Sequence, residues 1–325
     1  TKKDGNALIR FFCIPNKKTG RYNEPKDWPE QWAKFTEYGV YDVVAMREAY
    51  KRTPVTWSET ERVLSSYTDL MNDRGVRLDV ELIDAAIAQA ATFKARYRAH
   101  AKDLTADEGF NIVSQKAVLE YLKTYGVYLP DARAATLETF LESPDAEKVP
   151  THLCQLLATR LKVNKASVAK YPAMRNGVSS DGRARGLTEF RGAGRTGRDA
   201  ARRIQPQNLA RPVIVGKKSK VTKKVVTDME QAVDYVKKGM LDMLFDDPMQ
   251  VLSDCVRGAL VAAPGRKFCI ADLSNIEGRK LPWLAGEEWK LNYFRDYDSG
   301  KIRFDNYVAA YAKAFNIDPA TVGSA

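Results

Sequence analysis

The sequence predicts a helix-rich α/β protein of more than one domain, on three observations. Its 325 residues exceed the length at which a single hydrophobic core keeps growing, and an apolar content of 44% is that of a globular chain. Apolar side chains with the 3.6-residue spacing of amphipathic helices recur along most of the chain, several runs opened by a Ser or Asp in capping position. The short piece at residues 76–78 and the apolar run at 268–271 have extended character, and a helical pattern follows each.

Taken in order, residues 5–13 form an apolar cluster and residues 15–29 a Pro-, Gly-, Asn- and Lys-rich connector. A helix then starts near Trp28, with Trp32, Phe35, Tyr38, Val43 and Met46 on its faces. Tyr38 and Asp42, four apart, share one face. Such a pair can reach one metal-bound water, or it can mark the border between core and surface. Ser58 and Glu61 have capping-box spacing and open a helix carrying Val63, Leu64, Tyr67, Leu70 and Met71. That helix is expected to end at residues 72–75, and Asp79 to cap a longer one reaching about His100. Ser114 precedes another helical pattern with Leu119 and Leu122. Residues 150–171 read as a further helix, with Leu153, Leu156, Leu157 and Leu161 on one side and Lys162, Lys165 and Lys170 toward the other. The basic side is either a solvated face or one turned to phosphates. Asp228 starts a helix, the methionines of residues 240–249 read as core filler, and residues 289–297 and 305–315 read as two more helices.

Charge is unevenly spread. Residues 160–224 hold eighteen Lys and Arg against Asp181, Glu189 and Asp199, a surplus of fifteen in a chain whose net charge is +11. One basic segment in an otherwise mildly acidic chain fits a track for a polyanion, because clustered Lys and Arg release counterions from phosphates; a solvated charged face is the alternative. The segment includes a Gly-rich stretch, residues 181–198, that is either a flexible linker or a phosphate cradle. It lacks the Gly-Lys-Ser/Thr of a P-loop. No apolar run approaches the length that spans a bilayer, so no membrane partner is expected. Four cysteines without Cys-x-x-Cys spacing suggest neither a zinc site nor a disulfide framework, and a reducing cytoplasm is the expected location. Two histidines leave little room for histidine-based catalysis. The start, without Met or an apolar leader, is expected to be the inside of a longer reading frame.

The most informative stretch is residues 268–286. Residues 268–271 read as a short buried strand, Ser274 opens a helical pattern, and Asp272 stands between them. A carboxylate there can hold Mg²⁺. Ser274 and Glu277 also have capping-box spacing, and on spacing alone Asp272 is equally an ordinary turn residue.

Asp272, Ser274, Ile276, Glu277, Arg279 and residues 283–287 match the Asp-x-Ser-x-Ile-Glu-x-Arg pattern, with its phage-type extension, of motif A in the family A (polymerase I-like) DNA polymerases. Thr196, Gly197 and Arg198, then Gln207 and Asn208, resemble an earlier element of that family, and nearly the whole chain resembles it in order. The resemblance implies the tail of an RNase H-like 3′–5′ exonuclease domain over residues 1–55, the polymerase domain's opening segment over 56–105, a thumb over 106–180 and the first part of a palm over 181–325. It implies template-directed DNA synthesis by two-metal nucleotidyl transfer, with Asp272 binding both Mg²⁺ ions and Glu277 closing the space beside the sugar's 2′ carbon. Lys165 and Ser167 would track the duplex backbone. Arg198 would enter the minor groove at the primer end, and Gln207 and Asn208 would lie beside the nascent duplex, where donors test pair shape without reading sequence. Arg279 is counted among the DNA-binding residues, and Asp42, with Tyr38 through a water, belongs to an incomplete exonuclease metal site. The implied partners are primer-template DNA, deoxynucleoside triphosphates and a second polypeptide carrying the fingers and the remaining palm, whose motifs are not in this sequence. The alternative is a non-catalytic DNA-binding remnant or a subunit of a split polymerase. Pro282, Asp199 to Ala201 and Tyr307 depart from the family's pattern.

Overall fold

In the computed structural model, which describes residues 2–16, 19–53, 57–217 and 227–322, the chain is helix-rich α/β and divides into two compact units, Thr1–Val261 and Ala262–Ala325. The lysines of residues 218–224 that enlarge the basic segment lie outside the described residues.

The first unit opens with α1 (Lys2–Cys13) and α2 (Pro29–Arg52). An aromatic cluster joins them, the Phe12 ring lying 5.2 Å from Trp32 and 5.5 Å from Phe35. Otherwise α2 buries no residue, and Val43 and Met46 are exposed. Next comes α3 (Glu59–Arg74), opened as expected by Ser58, whose hydroxyl accepts from the Glu61 N–H. It closes on Gly75, whose φ of 63° suits glycine and where a Cβ would lie 2.5 Å from the Ala184 carbonyl oxygen. The expected apolar face of α3 is present but uncovered: only Thr68 is buried, while Leu64, Tyr67, Leu70 and Met71 face outward.

β1 (Val76–Leu78) leads into α4 (Val80–Thr105), and Asp79 caps it by accepting from the Leu82 N–H at 3.0 Å. Lys237 reinforces the cap, its ammonium lying 2.8 Å from Asp79 and 3.0 Å from Glu81. Leu82, Ile83, Ala86, Ala90, Phe93, Tyr97 and Ala101 form one buried stripe at helical spacing. Around it stand α5 (Gln115–Lys123), α6 (Ala134–Leu141), α7 (Thr151–Val163) and α8 (Lys170–Gly177), of which α7 and α8 pack directly on α4. The single helix expected over residues 150–171 is in fact broken. α7 ends at Asn164, a 3₁₀ turn occupies Ala166–Ala169, and α8 begins afterward. Val168 and Tyr171 are both buried, and the break turns the chain so that both reach the core.

β2 (Arg183–Ala184) pairs with β1, and β3 (Thr188–Ala193) with β4 (Arg198–Ala201) forms a separate hairpin. After them come α9 (Met229–Lys237), α10 (Leu241–Leu244), α11 (Pro248–Asp254) and β5 (Leu260–Val261). The sheet is antiparallel in the order β2-β1-β5, with Val76 opposite Ala184 and Leu78 opposite Leu260. Of the methionines expected as core filler, Met249 is buried but Met243 is exposed. All four cysteines are free.

The second unit holds α12 (Ile276–Ala285), α13 (Glu288–Asp298) and α14 (Asn306–Phe315), the last capped by Asp305. The expected buried strand at residues 268–271 is absent. These residues have no regular structure and are unpaired, and Ile270 is 91% exposed. A strand is stabilised by its neighbours, and among the described residues none pairs with this one. The expected capping box is not formed either. Asn275, at φ 53°, is the N-cap of α12 and makes no side-chain cap bond, so Ser274 lies one residue too early to serve.

Burial separates α4 from α3 energetically. Ile83→Ala should cost about 2–5 kcal/mol in urea unfolding, whereas Leu70→Ala should cost under about 1 kcal/mol. Equal losses would show that the face of α3 is covered.

Candidate nucleic-acid interface

Folding commits many of the basic side chains of the first unit to internal partners. Arg160 is buried and donates to the carbonyls of Ala132, at 3.1 Å, and Ile112. Burial lowers its pKa, and it is no part of an exposed track. Arg175 pairs with Asp84 at 2.8 Å, and Arg183 donates to the Arg74 and Gly75 carbonyls at 3.2 and 3.0 Å. Arg185 makes two bonds to Asp181, at 3.0 and 2.6 Å, and one to the Asp73 carbonyl at 2.7 Å. Arg202 pairs with Glu189, and Arg191 with Glu61.

What is left exposed is more local. Gln207 and Asn208 face solvent on a 3₁₀ turn, Pro206–Asn208, pinned on either side by the buried Ile204 and Leu209. The Arg257 guanidinium holds the far side of the turn through the Leu209 and Ala210 carbonyls at 2.6 and 2.9 Å. Ahead of it, Lys170 approaches Gln205 at 3.5 Å, which brings the segment after α7 next to this turn. Tyr171 donates to the Leu252 carbonyl at 2.8 Å. The fully buried Asp254 accepts from the Ile214 and Val215 amides at 2.7 and 3.0 Å and from Gln250 at 2.6 Å. Both segments are therefore anchored to α11. Lys165 is half-buried at the start of its 3₁₀ turn, and the Ser167 hydroxyl is bonded to that of Ser253. Ser167 thus has an internal partner as well as the implied phosphate.

The β3–β4 hairpin carries Arg198 at its turn, and Arg195, exposed at the same tip, is a residue that sequence reasoning passed over. Its signal was its place between Gly194 and Gly197 in a tight turn. Gly192 is required there because a Cβ would lie 2.5 Å from Glu189 Oε2 and 2.6 Å from the Ala200 Cβ.

Tyr38 and Asp42 do share a face of α2. The Tyr38 hydroxyl bonds to the Asp42 carboxylate, which raises the phenol pKa. In the second unit Asp272 is exposed on the irregular segment ahead of α12. Arg279 is occupied on three sides: two bonds of 2.7 Å to Asp298, one of 2.9 Å to the Ser274 carbonyl, and the Phe294 ring 4.5 Å away. Asp298 raises the Arg279 pKa, and Arg279 lowers that of Asp298. Among the described residues no three His, Cys, Asp or Glu side chains converge as a metal site. Asp42 and Asp272 as placed do not by themselves fit the donor set that Mg²⁺ requires. Nor, among the described residues, is any helix long and apolar enough to cross a membrane.

The DNA polymerase of Bacillus phage SP02 is 35% identical to this chain over 324 residues, an alignment covering 97% of this chain and 46% of that protein. The chain therefore spans about half the length of the curated relative it matches. No protein-family profile and no solved structure matches it.

The Asp181–Arg185 pair gives a pH prediction. Two bonds from Arg185 hold the Asp181 carboxyl at about 2, below the roughly 3.9 of an unfolded chain. Its contribution is then full above the unfolded value and disappears as pH falls through the folded one. Urea midpoints of wild type and Asp181→Asn should differ at pH 5 and converge toward pH 2. A constant gap would remove the pair from the acid response.

Proposed function

We propose that this chain is part of a phage-type family A DNA polymerase, comprising the tail of an exonuclease domain, the thumb and the first portion of the palm. The observation that carries the reading is the 35% identity to a phage DNA polymerase along 97% of the chain. The pattern of Asp272, Ser274, Ile276, Glu277 and Arg279 adds the family, and the exposed Gln207 and Asn208 add a surface suited to a duplex. In this reading the complete protein adds deoxynucleotides to a primer 3′ end. Lys165, Ser167 and Arg198 bind backbone and minor groove, Gln207, Asn208 and Arg279 contact the primer-template, and Glu277 excludes the ribose 2′-hydroxyl. Asp272 is this chain's ligand in a site for two Mg²⁺ ions, which would supply charge stabilisation for phosphoryl transfer. The remaining ligands belong to a partner polypeptide or to further sequence with the fingers and the rest of the palm. Asp42, with Tyr38, is the chain's share of an exonuclease site. The enzyme acts in the host cytoplasm.

Binding to primer-template should be strongly salt-dependent with little sequence preference. Replacing Lys165 and Arg198 with Ala should reduce the slope of log affinity against log salt by roughly one to two units. An unchanged slope would take both out of the footprint.

The purified chain should bind primer-template without extending it. Extension should appear when a polypeptide corresponding to the rest of the relative's length is added, and Asp272→Asn should abolish it. In that reconstituted enzyme Glu277→Ala should admit ribonucleotides. Extension by the chain alone would show the division of labour to be wrong, and binding without any reconstituted extension would favour a non-catalytic DNA-binding protein.

A further inference from the structure

The β3–β4 hairpin is too short to hold its own position. Its register has three pairs, Thr188 with Ala201, Glu189 with Ala200 and Ala193 with Arg198, and it is interrupted by a bulge between Glu189 and Ala193. Two-stranded hairpins of this size are marginal alone, and a bulge re-aims whatever follows it. Arg191, within the bulge, has φ 51°, a left-handed conformation that a side-chain-bearing residue keeps only where its surroundings impose it. Something outside the hairpin must set its angle.

That support comes from α3 and the two residues just before it. At the base of the hairpin the Asn72 side chain clasps one residue through both its backbone groups, accepting from the Thr188 N–H at 3.0 Å and donating to the Thr188 carbonyl at 2.7 Å. An amide can do this where no carboxylate or hydroxyl can, because it offers a donor and an acceptor side by side. Arg185 adds a bond to the Asp73 carbonyl. One helix length away, the Glu61 carboxylate meets the Arg191 guanidinium, and the Trp57 ring lies 5.3 Å from Phe190. The Ser58 cap fixes the backbone of Glu61, so its carboxylate is presented from a rigid helix start. The Arg191 amide is in turn held by Asp199 of the opposite strand at 2.9 Å. The bulge is thus gripped from the helix side and from across the hairpin, and both grips lie at the root of the tip that carries Arg195 and Arg198.

We propose that α3 is a brace for the β3–β4 hairpin, with Asn72 and Glu61 acting as positioning residues that aim Arg195 at the nucleic-acid backbone and Arg198 into the minor groove. This rests on the DNA-binding reading above. A purely structural role for the same residues predicts lost stability without any link to the tip, whereas positioning predicts that their effect passes through the tip arginines.

The test is a double-mutant cycle on primer-template binding, read by fluorescence anisotropy across a salt series, with thermal melting of every variant. Asn72→Ala and Glu61→Gln should each weaken binding, by about tenfold for closely coupled neighbours. Neither should weaken it further in an Arg195→Ala/Arg198→Ala background. Amide hydrogen exchange at Thr188 should accelerate in Asn72→Ala, and Asn72→Gln should not restore binding because its longer arm misplaces the clasp. Glu61→Gln, at a partly exposed position, serves if Asn72→Ala does not fold. Wild type showing no salt-dependent binding would sink the DNA reading and this inference with it. Weakening by the tip variant but not by Glu61→Gln or Asn72→Ala would sink the brace alone, as would losses that add fully in the tip background and follow the melting temperature.

Discussion

Burial of one stripe on α4 is the constraint on which the rest of the first unit depends. After the adjacent Leu82 and Ile83, Ala86, Ala90, Phe93, Tyr97 and Ala101 follow every three or four residues, and alanine at three of those positions lets neighbouring helices approach closely. Leu153, Leu156 and Leu157 of α7, Tyr171 and Met174 of α8 and Val236 of α9 join the same core. Polar groups fix its edges: Asp79 caps the start, Lys237 ties that cap to α9, and Gln89 bonds the Val236 carbonyl. Interiors this closely packed transmit position, so a loop attached to α7, α8 or α11 inherits the rigidity of the core. The exposed turn with Gln207 and Asn208 is attached in this way, through Ile204, Leu209 and Arg257.

The basic segment shows why charge read from composition and charge presented to a ligand are different quantities. Arg160 neutralises no phosphate because it satisfies two carbonyls inside the core. Arg183 and Arg185 serve the carbonyls at the end of α3, and Arg191 and Arg202 meet carboxylates. Guanidinium suits these tasks, since its fork can satisfy two acceptors at once. The surplus charge therefore helps to build the loop that carries the exposed residues.

Local signals were legible in the sequence. Ser58, Asp79, Ser114, Asp228 and Asp305 were all read as helix starts, and each side chain makes its cap bond. A cap involves residues three apart, so a window of four contains its cause. Signals that depend on distant partners were not legible. The break between α7 and α8 follows from where Val168 and Tyr171 find a core, and the clasp of Asn72 on Thr188 joins residues 116 apart. Asn72 read locally as a helix-end residue, and nothing near it in sequence indicates the strand it holds. Apolar periodicity on α3 was detected correctly, but periodicity reports which face could be buried, not whether something covers it.

The second unit carries the same distinction to the most informative residue of the chain. Residues 268–271 have strand composition and, among the described residues, no strand partner, so Asp272 stands on an irregular, exposed segment. The nearest fixed point is Ser274, whose carbonyl accepts from Arg279 while Asp298 and Phe294 hold the guanidinium. Arg279 is therefore a local anchor for the segment as well as a residue of the motif. An anchor two residues from a carboxylate limits where it can go without fixing the orientation of its oxygens. Metal-centred chemistry requires ligands held within about half an ångström. Among the described residues Asp272 has no such hold, since no strand pairs with residues 268–271 and no set of ligands converges on the carboxylate.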